Sequence, residues 1–255
     1  MQLLKQLYSI NSKSGKEYEI KKFILDFLSE LSLTIEEDKI GNLFITKGQS
    51  DSYPCVVAHL DEVHICLKRI VIENPPIIYA VNDKGEQVGI GADDKNGVWI
   101  AMQLLRKIDT IKVALFVQEE KEGELAGCRG AKACDLSWFD NVRYVIECDR
   151  KGSSDFIIQA KEINLCNFDF IPLEILKKYS YWATKGGNTD IVALKQIGLK
   201  QDCCNLSCGY YNPHKENEYT NIDDLNNCLN MVLEIIEFYN YAKHYEKQNH
   251  FFISQ

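Results

Sequence analysis

The stretch IKVALFVQEE, residues 111–120, decides the fold. Its first seven residues are apolar except for Lys112, the composition of a strand covered on both faces rather than one that alternates between core and water. It stops at Gln118, Glu119 and Glu120. Two neighbouring carboxylates at the end of a buried strand are costly unless a cation or a shared proton offsets their repulsion. The competing reading is a solvated acidic loop, because Lys121, Glu122 and Glu124 follow.

Upstream, Val98, Ile100, Ala101, Leu104 and Leu105 recur at helical spacing. The helix they mark is opened by the glycine-rich loop GIGADDKNG, residues 89–97. Glycines before a helix suit phosphate, but two adjacent aspartates repel an anion and favour a cation. The plain alternative is a helix capped by Asp93 or Asp94. Before this loop, residues 65–90 alternate as a hairpin or extra strand pair. Earlier, CVVA leads into AHLDEVH at residues 58–64, and LTIEEDKIGNLFITKG at 33–48 reads as two strands joined by a tight turn. Ile20, Phe23, Ile24, Phe27, Leu28 and Leu31 mark an N-terminal helix packed on the sheet.

Downstream, GCRGAKACDLSWF predicts a short helix, and NVRYVIECD another central strand ending in Asp149. Residues 153–159 predict a strand and 172–182 a helix. KGGNTDIVAL, residues 185–194, predicts a glycine loop entering a helix. A strand then runs into the loop that presents His214, and residues 225–245 fit a long amphipathic helix. Helix and strand alternate throughout, so the expected class is α/β, a three-layer α/β/α with a mixed, largely parallel central sheet. No repeat or linker divides the chain, and residues 1–255 read as one domain.

Composition narrows the function classes. The chain has 255 residues and a formal net charge of -8, with 37 acidic against 29 basic residues. That balance opposes a nucleic-acid surface. No stretch approaches the roughly 18 apolar residues of a membrane span, and the N-terminus turns polar within about ten residues. A cytoplasmic protein is expected. Its ten cysteines then read as reduced thiols, including Cys203, Cys204 and Cys208.

A scattered set of acids and histidines sits where strand-like runs give way to loops, where open α/β sheets place ligands. It comprises His59, Asp61, Asp93, Glu119, Glu120, Asp149 and His214. Two residues apart on a strand, His59 and Asp61 project to one side, so Asp61 is placed to accept a bond from the second ring nitrogen of His59.

AHLDEVH, GADDKNG, the Glu pair followed by GCRGA, the Asp of ECD, GGNTD and CGYYNPHKENEY occur in the order found in one family. The sequence resembles the zinc-dependent exopeptidases that include peptidase T, the co-catalytic aminopeptidases and the aminoacylases. Each motif is weak alone, and their shared order is specific. The resemblance implies one metal on His59 and Asp149, another on Glu120 and His214, and Asp93 bridging. It implies Glu119 as general base, Asp61 as the orienting partner of His59, and a cis peptide between Asp93 and Asp94. Two Zn2+ ions holding a water between them would be the cofactors, with Co2+ or Mn2+ able to replace them.

One departure stands out: only 64 residues separate Asp149 from His214. That leaves no room for the inserted lid or dimerisation domain of relatives such as peptidase T. Arg150 is a candidate for gripping a substrate carboxylate, against a surface ion pair. Asn188 and Asp190 are candidates for the pocket wall, against helix capping. The expected function is hydrolysis of short peptides by an aminopeptidase or di/tripeptidase. An N-acyl amino acid deacylase and a non-catalytic binding protein on the same fold are the alternatives. The resemblance also leaves homo-oligomer assembly open.

Overall fold

The computed structural model describes residues 1–66, 68–121 and 127–253. The N-terminal third contains helices α1 (Gln2–Ser9) and α2 (Tyr18–Leu28). The hairpin β1 (Leu33–Glu37) and β2 (Leu43–Lys47) and the strand β3 (Tyr53–His59) follow. Next come β4 (Ile70–Asn74), β5 (Ile77–Val81), β6 (Gln87–Val88), α3 (Ala92–Lys107) and β7 (Ile111–Phe116). The middle holds α4 (Arg129–Ala133), β8 (Val142–Arg150), β9 (Asp155–Ala160), β10 (Ile163–Asn164) and α5 (Leu173–Tyr179). The chain closes with β11 (Trp182–Gly186), α6 (Asp190–Gln196), β12 (Asp202–Ser207), β13 (Tyr210–Tyr211), β14 (Tyr219–Asn221) and α7 (Ile222–Ile253).

Among the described residues, nine strands form the main sheet, in the order β1-β2-β7-β3-β8-β12-β9-β10 with β11 beside β9. Its centre, β7-β3-β8-β12, is parallel, and the antiparallel pairs lie towards the edges. All six residues of β7 are buried. Lys112 fits because its stem lies along the apolar layer while its ammonium donates to the Trp138 carbonyl and to Asn141 Oδ1, each at 2.6 Å. Residues of α1, α2, α3, α5 and α7 pack on one face of the sheet and those of α4 and α6 on the other, so the three layers expected from the alternation are present.

Two features depart from expectation. Residues 70–88 pair with β14, which in turn pairs with β13, making a separate five-stranded sheet rather than a lone hairpin. The helix expected through Trp182 ends at Tyr179, where Ser180 takes a left-handed φ of 60°, and Trp182 instead begins the strand β11. No described helix is long and apolar enough to cross a membrane.

Just past the end of β3 lies a buried charge cluster. Glu62 takes the Lys95 ammonium at 2.6 Å and Arg69 Nη2 at 2.7 Å. Lys95 and Arg69 also donate to the main-chain carbonyls of Ile10 and Tyr8, which ties α1 to the start of α3. Gly91 is required beside this cluster: its φ is 67°, and a Cβ there would lie 2.1 Å from Glu62 Oε2.

Candidate metal centre

The parallel register sets the site. Val57 of β3 is aligned with Ala114 of β7 and Glu147 of β8, so two residues on, His59 and Asp149 leave adjacent strands at the same level. β7 ends one strand over and delivers Glu119 and Glu120. Asp93 enters from the first turn of α3, after a cis peptide to Asp94 as the resemblance implies. Asp94 is the residue that caps: its Oδ1 accepts the Gly97 N–H at 3.0 Å and its Oδ2 the His59 N–H at 3.2 Å, leaving Asp93 turned away from the helix. A Cβ on Gly97 would meet the Asp94 carboxylate at 2.5 Å, so the cap depends on glycine there.

The two oxygens of Asp93 face different histidines. Oδ1 is 3.1 Å from His59 Nε2 and Oδ2 is 3.3 Å from His214 Nε2. His59 Nε2 also lies 3.8 Å from Asp149 Oδ1, and His214 Nε2 lies 2.5 Å from Glu120 Oε1. Two donor groups follow, His59 with Asp93 and Asp149, and His214 with Asp93 and Glu120, each drawn together within 4.8 Å. One imidazole and two carboxylates is a donor set that suits zinc, so the residues fit a divalent cation. A third group, His59 with Glu119 and Glu120, borrows from both sides of the same cluster.

The electrostatics fit a site that concentrates negative charge. Burial, with the charges of Asp93 and Asp94, pushes the Asp149 carboxyl well up. Against burial, bonds from His214 and His59 hold Asp93 far below the ordinary carboxylate range. Bonds to Asp93 and Glu120 raise His214 to about 10. Burial pushes Glu119 up to about 7, with His59 opposing and Glu120 adding to the rise.

Asp61 differs from expectation. His59 Nδ1 lies 3.0 Å from the Asp61 main-chain carbonyl and 3.6 Å from its carboxylate. The carboxylate instead accepts the N–H groups of Glu119 and Glu120, at 2.8 and 3.0 Å. A strand-face argument missed this because β3 ends at His59 and the chain turns before Asp61. Asp61 therefore holds both the histidine and the Glu119–Glu120 corner.

The sequence of the chain matches no family model and no curated protein. Its structure is similar to solved ones. Aminopeptidase PepT from Bacillus cereus superimposes with a TM-score of 0.76 at 16% identity, over 92% of this chain and 96% of that one. A tripeptidase from Staphylococcus aureus gives 0.73 at 17% identity, over 92% and 96%. The TET1 peptidase of Pyrococcus horikoshii, which can assemble into a tetrahedron or a large octahedral shell, gives 0.65 at 15% identity, over 90% and 96%. The chain has the fold of these peptidases.

Within the exopeptidase fold the cluster opens into a cleft of about 480 Å³. Asn188 is exposed on its wall and donates to Cys128 Sγ at 3.3 Å. Arg150 also lines the cleft, with Nε 2.9 Å from Asp155 Oδ2, so the ion pair weighed against carboxylate binding is present. Asp190 does not reach the wall. It is fully buried at the start of α6, and burial together with Glu119 and Glu147 pushes its carboxyl up, so its expected place in the pocket is corrected. Glu122 and Glu124, the basis of the solvated-loop reading, lie outside the described residues.

Two contacts to the site come from residues to which the sequence had assigned no such role. The Tyr210 hydroxyl donates to Asp149 Oδ1 at 3.1 Å. The buried Cys128 thiol donates to Glu119 Oε1 at 3.1 Å. Buried Glu218 accepts the N–H groups of Gly91 and Asp93 at 2.7 and 3.2 Å and stands 3.1 Å from His64 Nε2, so it holds the loop that carries Asp93. Strand periodicity carried one missed signal: Glu147 is two residues before Asp149 on β8, hence on the same face, and it is buried.

Proposed function

We propose that this chain, as one catalytic domain over residues 1–255, is a metal-dependent exopeptidase that hydrolyses short peptides, acting as an aminopeptidase or di/tripeptidase. The observation that carries the reading is the divided Asp93 carboxylate, one oxygen towards each histidine-containing donor group. In this reading His59 and Asp149 hold one zinc ion, Glu120 and His214 the other, and Asp93 both. When bound, such ions polarise a substrate carbonyl and lower the pKa of water.

The chain's own groups do the rest. Glu119 belongs to the corner fixed by Asp61, and its carboxylate takes the proton of the attacking water and returns it to the departing amine. The Cys128 thiol orients the Glu119 carboxylate through Oε1. Tyr210 fixes the rotamer of Asp149. The clustered carboxylates favour a substrate with a free α-amine over one whose amine is acylated.

Assaying aminoacyl, dipeptide, tripeptide and N-acyl amino acid substrates in parallel, with zinc, cobalt or manganese supplied, tests the reading. Hydrolysis of substrates with a free amine is expected. Turnover confined to N-acyl amino acids would make the protein a deacylase, and no turnover of any would favour a binding role. Tyr210→Phe removes one bond to a ligand carboxylate and is expected to weaken metal binding about tenfold. A metal titration read by retained zinc checks this, and an unchanged affinity would reduce Tyr210 to packing.

A further inference from the structure

A second cavity, of about 400 Å³, adjoins the cleft and shares Lys151 and Pro213 with it. Its walls include Lys151, Ser153, Ser154, Asn212, Asp155 and Lys215. It is placed by the same two segments that build the metal centre. Lys151 follows Asp149 by two residues at the end of β8, and Lys215 follows His214 directly. Consecutive Cα atoms are about 3.8 Å apart, so both lysines are rooted within roughly 8 Å of candidate ligands.

The charge of this cavity runs against that of the molecule. The chain carries a net charge of -8 and the neighbouring cluster gathers Asp93, Glu119, Glu120 and Asp149. Asp155 is the carboxylate in the second cavity wall, and Arg150 occupies it at 2.9 Å. Lys151 and Lys215 enter no ion pair among the described residues. Ser153, Ser154 and Asn212 are polar neighbours of the two lysines in the wall, with one Asn212 amide N–H given to the Asn217 carbonyl at 3.3 Å. An anionic group is what this lining suits, and a peptide supplies one at a fixed distance: extended residues advance roughly 3.3–3.6 Å each.

We propose that the second cavity is a carboxylate subsite, in which Lys151 and Lys215 hold the C-terminal carboxylate of a di- or tripeptide whose scissile bond lies over the Asp93 cluster. This rests on the peptidase reading above. It supplies from the β8–β9 turn and the loop around His214 what the short interval between Asp149 and His214 leaves no lid to supply. The substrate class becomes short peptides with a free C-terminus.

The test compares trialanine with trialanine amide, measured as binding by calorimetry to the zinc-supplied Glu119→Gln protein, and as kcat/KM in the wild type. The free acid is expected to bind about fivefold tighter or better than the amide, with the difference in KM rather than kcat. Lys151→Met with Lys215→Met should bring that ratio to about one. Both lysines are exposed, so the double variant is expected to fold. Equal binding of acid and amide, binding of neither, or a ratio that survives the double substitution overturns the subsite. If the wild type cleaves neither peptide while the lysine-dependent preference in binding persists, the peptidase reading fails and the subsite stands. Cleavage of both with no preference has the opposite meaning.

Discussion

Glu119→Gln is expected to lower kcat by about a thousandfold while KM and bound metal change little. General base catalysis contributes roughly 10²–10⁴ in rate, and an amide of the same shape cannot take the proton. The glutamine still presents an oxygen to the Cys128 thiol and keeps the main-chain bond to Asp61, so the corner should hold its shape. The measurement is steady-state kinetics on a tripeptide beside a metal count on the same preparation. Turnover within tenfold of wild type would remove Glu119 from the reaction. A parallel loss of metal would instead place it among the ligands, as its membership of the group with His59 and Glu120 allows.

Chelation is expected to abolish hydrolysis and lower the melting temperature by about 5 °C or more, with both restored by added zinc. Asp93, Glu119, Glu120 and Asp149 converge with only two imidazoles among them, so cations that bind the folded chain offset a repulsion the unfolded chain does not feel. A ligand present at a hundredfold its Kd stabilises by about 2.7 kcal/mol, which for a chain of this length corresponds to roughly 5–10 °C. Calorimetry before and after removal of the chelated metal checks this. An unchanged melting temperature would mean that shared protons neutralise the carboxylates, the other way a buried acid pair can persist.

The order of these effects reflects what the sequence displayed. Ligand candidates were legible because each stands at a break between an apolar run and a polar loop, a pattern that needs no tertiary knowledge. The identities of their supports were not. Asp61 was visible as an acid beside His59, yet the choice between its carboxylate and its carbonyl depends on where β3 turns. Asp190 was visible in GGNTD, and whether it faces the cleft or the layer beneath depends on how α6 packs. Glu218 lies 127 residues from the Gly91 N–H that it binds, and only the short strand β14 pairing with β5 brings them together.

The sequence by itself determined the layered α/β class, the central strands and the residues of the Asp93 cluster, because strand burial and helical spacing are local patterns repeated over six or more residues. The tertiary structure alone decided the five-stranded second sheet, the edge strand β11 and the cavity beside Lys151 and Lys215. Strands of two or three residues such as β6, β13 and β14 carry too little periodicity to be read locally, and which strands pair across the chain is not written in the alternation of either. A cavity exists only when segments distant in the chain enclose it.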